Sequence, residues 1–119
     1  MTGENHPNWR NYSDEDRKNF ESYKAEVTQI TNINYIKYFY FINPSKLERG
    51  KSKYHLDHIY SVIDGFNNHV PPNIIANPYN LKVITYTENM SKQGDSHMTI
   101  EQLYIFYICF LLKQKIEGT

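Results

Sequence analysis

The stretch that decides the fold runs over residues 54–96 and reads YHLDHIYSVIDGFNNHVPPNIIANPYNLKVITYTENMSKQGDS. Its β-branched and aromatic runs predict one strand over 54–60 and a second strand over 81–85. Residues 61–79, between them, contain one glycine, three prolines and four asparagines, a composition that predicts a long irregular loop. Loops of this length are uncommon in a small domain unless they have a function. A short helix is expected after the second strand, ending near Gly94.

Helical patterns flank this stretch on both sides. Ser13 is a predicted N-cap, and apolar residues at helical spacing predict a helix over 14–31. Residues 33–42 (INYIKYFYFI) fit either a strand or a continued buried helix, and their periodicity does not decide between the two. A capping box that begins at Thr99 predicts a helix over 100–116. Because this helix is apolar nearly all round, it is expected in the core or, less commonly, in a subunit interface.

The bulk composition fits one small folded domain. The chain has 119 residues, and its 11 tyrosines and 6 phenylalanines can supply a packed core. The one cysteine, Cys109, lies in an apolar run and cannot form an intramolecular disulfide or a cysteine-based zinc site. We therefore expect a single domain over 1–119 that is stabilised by packing and has no structural zinc.

Nothing in the sequence predicts export or membrane insertion. The first ten residues are polar and lack the apolar centre of a signal peptide. The longest apolar run, residues 103–112, is too short to span a bilayer. We expect a cytoplasmic protein, in the host cytoplasm if it is encoded by a phage, with no membrane partner.

The distribution of charge is more informative than its total. The chain has 13 basic and 13 acidic side chains, whereas a nucleic-acid-binding domain is usually strongly basic. Residues 27–60 carry five basic and two acidic side chains, and most of this excess lies in the predicted loop 45–53. This loop fits equally a solvated segment or an arm that binds DNA phosphates. Its candidate DNA-binding residues are Lys46, Arg49, Lys51 and Lys53.

Polar side chains recur in the deciding stretch near the ends of the predicted elements. Asp57-His58 lies in the first strand, Asn80 directly precedes the second strand, and Asn89 and Lys92 lie on the short helix. Adjacent residues of an ideal strand point to opposite faces. Asp57 and His58 can therefore act at one site only if the strand ends or twists there. An Asp-His pair alone is common, and it is the combination at these spacings that indicates a site.

With these residues in place, the stretch resembles the HNH endonuclease family, most of all the small enzymes of phages and mobile elements. Asp57-His58 matches the first histidine of the family motif in its Asp-His variant. Asn80 matches the central asparagine, and Asn89 stands at the last histidine position, where asparagine is frequent. The nine-residue separation between Asn80 and Asn89 is similar to that in the family. The resemblance covers about 43 of 119 residues, and the CxxC pairs that hold zinc in many members are absent.

The resemblance implies a fold and a cofactor. The fold is an α+β domain in which a ββα-metal core, over about 53–95, is flanked by an N-terminal and a C-terminal α-helix. One divalent ion, Mg²⁺ or Mn²⁺, is expected in the active site. Asp57 and the side-chain oxygen of Asn89 are the expected metal ligands, because hard cations prefer oxygen donors.

The resemblance also implies a role for each remaining residue. His58 is expected to activate the attacking water as a general base, since the pKa of histidine lies near neutrality. Asn80 is expected to tie down the loop and orient the imidazole without touching the metal. Lys92 is expected to contact the phosphate. His55 shares a strand face with Asp57 and fits a supporting contact or a plain surface role.

The activity that the resemblance implies is hydrolysis of DNA phosphodiester bonds, leaving 5′-phosphate and 3′-hydroxyl ends. One chain offers one active site, so a monomer is expected to nick one strand, and a homodimer would be needed to cut both. A role in homing or genome interference by a phage or mobile element fits such an enzyme. The alternatives are a catalytically inactive DNA-binding or inhibitory module on the same fold, and a structural protein with no nucleic-acid role.

Overall fold

The computed structural model describes residues 12–118, which form an α+β fold with about 62% helix and one two-stranded antiparallel sheet. The elements follow in the order α1 (Asp14–Lys37), α2 (Phe39–Ile42), β1 (Tyr54–His58), α3 (Val62–Asn67), α4 (Pro72–Ile75), a 3-10 turn (Pro78–Asn80), β2 (Leu81–Thr85), α5 (Tyr86–Lys92) and α6 (Ile100–Glu117).

The sheet consists of β1 and β2, which pair antiparallel with His58 opposite Leu81 at one end. The predicted limits of β2 are confirmed, whereas β1 ends at His58, before the predicted end at residue 60. The amide of Ile59 still donates in register to the carbonyl of Asn80, at 2.8 Å. The pairing ends there because the amide of Asn80 donates to Asn77 within the 3-10 turn and the carbonyl of Ile59 accepts from the amide of His97. The strand therefore ends at Asp57-His58, which is the condition under which these two adjacent side chains can act at one site.

Helix α5 follows β2 without a loop. The hydroxyl of Thr85 accepts a hydrogen bond from the amide of Glu88, and the Glu88 carboxylate accepts one from the amide of Thr85, both at 3.0 Å. This capping box sets the direction in which α5 leaves the sheet. Because α5 also packs against both strands, Asn89 and Lys92 lie on a helix that is tied directly to the sheet.

Helix α1 is longer than its sequence pattern predicts. Ser13 caps it as expected, but the helix continues to Lys37 rather than to residue 31. Residues 33–42 are therefore helical, with one interruption between α1 and α2, and the strand alternative is wrong. The expected burial of this helix is also wrong, since Ile33, Ile36 and Tyr40 are exposed. Asn43 ends this segment because its side chain donates to the carbonyl of Leu47 and accepts from the Leu47 amide.

The prediction of an irregular loop over residues 61–79 is also wrong. Helices α3 and α4 and the 3-10 turn occupy most of this range. Ser61 caps α3, while Pro72 and Pro78 begin α4 and the 3-10 turn at positions where the missing N–H of proline has no cost. Helices of four to six residues are too short to produce a helical period, so only their capping and proline residues are visible in the sequence.

The core lies where α1, α4 and α6 meet. Val27 of α1, Ile75 of α4 and Leu103 of α6 are each 1% exposed or less. Val70 and Tyr60 pack in the same cluster. Tyr60 directly precedes Ser61 at the start of the segment between the strands, so the core anchors the chain just beyond the Asp-His pair.

Helix α6 begins and ends within one residue of its predicted limits, but its predicted place in the core is wrong. Within Ile100–Glu117, Leu103 is the one side chain that is fully buried. Seven large apolar side chains of α6 are more than one third exposed, namely Tyr104, Ile105, Phe106, Ile108, Leu111, Leu112 and Ile116.

Among residues 12–118, no helix has the length and apolar character that crossing a membrane requires.

Gly65 lies where α3 packs against its neighbours. A β-carbon built there would lie 2.6 Å from the hydroxyl of Tyr23 and 2.6 Å from Cδ1 of Ile75. We expect Gly65→Ala to lower the free energy of unfolding by about 1–3 kcal/mol, the usual cost of overpacking. Gly50→Ala is the matched control, because its β-carbon would meet only the flexible side chain of Lys53, at 3.2 Å. Chemical denaturation measures both, and equal losses would contradict the prediction.

Candidate active site at the end of the sheet

Asp57 and Lys92 form a buried ion pair where β1 meets the last turn of α5. The ammonium of Lys92 donates to Oδ1 of Asp57 at 2.9 Å and to the carbonyl of His58 at 2.5 Å. The side chains are only 4% exposed for Lys92 and 6% for Asp57. Among the described residues, the second carboxylate oxygen, Oδ2 of Asp57, is buried with no hydrogen-bond donor. Asp57 therefore has one oxygen that is shielded from water and lacks a protein partner.

The imidazole of His58 is held by a residue of α1. Its Nε2 atom lies 2.9 Å from the hydroxyl oxygen of Thr31. Burial, followed by the positive charge of Lys92, lowers the pKa of His58 to about 4. The imidazole is therefore neutral at pH 7, but its pKa lies well below the near-neutral value expected from the sequence, so the ring is a weaker base than an ordinary histidine.

Sequence reasoning missed Thr31. It is 27 positions from His58 and belongs to no motif. The available signal was its spacing, because Thr31 follows Val27 by four residues and so lies on the same inward face of α1. Both residues are buried, Thr31 at 4% exposure. A threonine on an otherwise apolar helix face predicts a buried hydroxyl with a partner, but it does not identify that partner.

Asn89 is joined to β1 through His55. The side-chain amide of Asn89 donates to Nδ1 of His55 at 2.8 Å. Nε2 of His55 donates to the carbonyl of Lys51 at 2.9 Å, which assigns the single hydrogen of the neutral ring to Nε2. Of the two sequence interpretations of His55, the structure therefore favours the supporting contact. This bond uses the amide nitrogen of Asn89 and leaves its amide oxygen for another partner.

Asn80 closes the segment between the two strands. It is fully buried, and its side-chain oxygen accepts from the amide of Tyr60 at 2.7 Å. Its side-chain nitrogen donates to the carbonyl of Tyr60 at 3.0 Å and to that of Ile75 at 2.8 Å. Asn80 thus ties down the loop as predicted. These bonds are all to backbone, however, and the imidazole of His58 is held by Thr31 instead.

We expect Asn80→Ala to lower the free energy of unfolding by about 3 kcal/mol or more, because it leaves three buried backbone groups without partners. Asn68→Ala is the control, since Asn68 is exposed and donates one hydrogen bond, to the hydroxyl of Tyr60. Urea denaturation of the two variants makes the comparison. A loss for Asn80→Ala as small as that for Asn68→Ala would show that the loop does not depend on this side chain.

An open cavity of about 410 Å³ brings four of the predicted residues together. Asp57, His58, Asn89 and Lys92 all line it, and Lys24 of α1 adds a further positive charge. Within residues 12–118, no three histidine, cysteine, aspartate or glutamate side chains are grouped closely enough to hold a metal ion. Among the residues that line the cavity, Asp57 supplies the one carboxylate and Asn89 the one side-chain amide.

The basic loop lies beside this cavity. Arg49 lines a neighbouring groove together with His55 and Asn89. Lys51 and Lys53 are exposed, and Lys53 is ion-paired with Glu48. Two further contacts, to aromatic rings, orient the loop: Lys46 lies 5.7 Å from the ring centre of Tyr40, and Arg49 lies 4.6 Å from that of Tyr35.

Comparisons of the chain with protein-family models, with curated proteins and with solved structures give no match in any of the three.

Proposed function

We propose that this protein is a metal-dependent endonuclease that hydrolyses phosphodiester bonds of DNA. The observation that carries the proposal is the convergence of Asp57, neutral His58, Asn89 and Lys92 on one cavity at the end of β1. A carboxylate, an amide oxygen, a base and a fixed positive charge are groups suited to phosphodiester hydrolysis. Three of these residues, Asp57, His58 and Asn89, also carry the resemblance to the HNH pattern.

The order β1, β2, α5 supports a ββα-metal core in particular. Asp57 and His58 stand at the end of the first strand, and Asn89 and Lys92 stand on the helix that follows the second strand. Asn80 closes the segment between the strands through its backbone hydrogen bonds. This order of elements and residues is the one that the resemblance implies.

The donor set near the cavity suits one hard divalent ion. Oδ2 of Asp57 has no donor among the described residues, and the amide oxygen of Asn89 is not used in the bond to His55. Carboxylate and amide oxygens are the ligands that Mg²⁺ and Mn²⁺ prefer, so Asp57 and Asn89 would hold the ion. When bound, the ion supplies positive charge to the scissile phosphate and the leaving oxygen.

His58 is the base in this proposal, and the direction of its hydrogen bond with Thr31 determines which ring nitrogen can act. If the ring hydrogen lies on Nε2, the hydroxyl of Thr31 accepts it and Nδ1 is free to take a proton from water. The low pKa of His58 keeps the ring unprotonated at neutral pH. Thr31 is therefore a positioning residue for the base.

The basic loop supports DNA as the substrate. Lys46, Arg49, Lys51 and Lys53 are all exposed, and Arg49 shares a groove with Asn89 next to the cavity. Because the whole chain is neutral, binding would depend on this local charge and weaken steeply with salt. One chain has one such site, so we expect nicking. Homing or genome interference by a phage or mobile element is the biological setting that the resemblance suggests.

The test of this function is nicking of supercoiled plasmid DNA by the purified chain. We expect relaxation with Mg²⁺ or Mn²⁺, none with EDTA, and none with Asp57→Ala. Asp14→Ala is the control, because this carboxylate lies at the start of α1 with its side chain 94% exposed. Relaxation that survives EDTA, or that is equal in the two variants, would overturn the proposal.

One observation favours a second candidate, a DNA-binding or inhibitory module without catalysis. The ammonium of Lys92 already neutralises Asp57, so the predicted metal ligand is engaged by the protein itself. Calorimetric titration with Mn²⁺ separates the two functions. The nuclease is expected to bind one ion in a manner that requires Asp57, whereas the inactive module is expected to bind DNA without binding the ion.

A further inference from the structure

Helix α6 has an apolar stripe on the face opposite the core. Successive residues of a helix are about 100° apart, so positions separated by three, four or seven residues share a face. Leu103, Tyr107, Phe110 and Gln114 face the protein, as shown by the burial of Leu103 and by the bond from Gln114 to the hydroxyl of Tyr38 at 2.7 Å. The outer stripe, on the opposite side, consists of Ile105, Ile108, Cys109, Leu112 and Ile116.

The exposure of this stripe is not that of an ordinary surface helix. Ile105 is 57% exposed, Ile108 54%, Leu112 55% and Ile116 73%. A surface helix normally turns polar residues outward, and its apolar residues form one stripe toward the core. Here the apolar residues recur at spacings of three and four along the outer side for about 16 Å, the pattern of a helix that packs against a second helix.

We infer that the outer stripe of α6 binds the same stripe of a second copy of this chain, with the two helices antiparallel. Charge at the ends of the stripe sets this direction. Glu101 lies at its start and Lys115 near its end, and both are exposed. An antiparallel pair centred near Ile108 brings Glu101 of each copy toward Lys115 of the other. A parallel pair would bring like charges together at both ends.

A twofold axis fits this surface because the stripe is complementary to itself. In an isologous contact the same patch serves both copies, which requires an apolar centre and opposite charges at equal distances from it. The stripe is narrow, and a standard stable interface buries about 800 Å² on each partner. We therefore expect a reversible dimer that forms as concentration rises. The inference is independent of the proposed nuclease activity.

Sedimentation equilibrium of the full chain over a wide concentration range tests the contact. We expect a monomer–dimer equilibrium, and we expect Ile108→Glu to weaken it by roughly 30-fold or more, as for a central interface residue. Met90→Glu is the matched control, because Met90 is 56% exposed and lies on α5. A monomer at every concentration, or equal effects of the two substitutions, would overturn the inference.

Two further measurements do not depend on how well Ile108→Glu folds. Glu101→Lys and Lys115→Glu should each weaken the dimer, and the double reversal should restore it. Cys109 is the one cysteine of the chain and lies in the stripe, so a short bis-maleimide should link two copies. Failure of the double reversal to restore the dimer would overturn the antiparallel arrangement. Binding to anionic vesicles by a protein that stays monomeric would assign the stripe to a membrane surface and overturn the dimer.

Discussion

Replacing His58 by alanine is expected to slow plasmid nicking by about 10²–10⁴-fold, the contribution of a well-positioned general base. The reason is that His58 is the neutral ring in the cavity that Asp57 and Asn89 share. His97→Ala is the control, since His97 is exposed in the loop before α6 and lies outside this cavity. Initial rates at saturating Mg²⁺ give the comparison. An undiminished rate for His58→Ala would remove His58 from the mechanism.

The pH dependence of nicking adds a second measurement of the same prediction. A base acts only when unprotonated, so lowering its pKa extends its working range toward acid. Burial and Lys92 lower the pKa of His58 to about 4. As the pH falls, kcat/KM should therefore not drop around pH 6.5, where an ordinary histidine is protonated. The loss due to His58 should fall near pH 4. A midpoint near 6.5 that disappears in His58→Ala would contradict the described environment of the ring.

Replacing Lys92 by methionine is expected to lower the free energy of unfolding by about 3–5 kcal/mol, because it leaves a buried carboxylate without a counter-charge. Lys92 also donates to the carbonyl of His58, so a second buried acceptor loses its partner. Lys82→Met is the control, since Lys82 is exposed on β2 and stands opposite Asp57 in the sheet. Thermal and chemical denaturation without divalent ions should reveal a large difference between the two variants.

The same variant links stability to metal binding. If Asp57 is a metal ligand, Mn²⁺ can replace the lost ammonium, and it should raise the melting temperature of Lys92→Met more than that of the unchanged chain. The double variant Asp57→Asn, Lys92→Met should be more stable than Lys92→Met and should not respond to Mn²⁺. A Lys92→Met variant that Mn²⁺ does not stabilise would exclude Asp57 as a ligand.

The parts of the fold that the sequence predicted are those determined by local chemistry. The limits of β2 follow from its β-branched run, and the start of α6 follows from the capping box at Thr99. The short helices between the strands were missed because they are less than two turns long. The end of β1 was missed for a different reason: the carbonyl of Ile59 accepts from the amide of His97, far along the chain, instead of from β2. The expected burial of α6 was wrong because an apolar pattern does not specify its partner.

The candidate site was predictable as a set of residues but not as a set of contacts. Asp57, His58 and Asn89 were identified from their spacing in the HNH-like stretch. The ion pair that Lys92 makes with Asp57 joins residues 35 positions apart, and no local pattern encodes it. The bond from His58 to Thr31 lies outside the stretch altogether. Burial, which lowers the pKa of His58, likewise depends on the whole tertiary structure.

The hydrogen bond between Thr31 and His58 bears on whether the short stretch could be transplanted as a working unit. Thr31 lies on α1, whereas the predicted ligands all lie within residues 54–96. A graft of that stretch onto another scaffold would carry the acidic and amide oxygens but leave the imidazole free to rotate. The portable unit is therefore the stretch together with α1, and a designer who wished to shorten this protein would have to retain both.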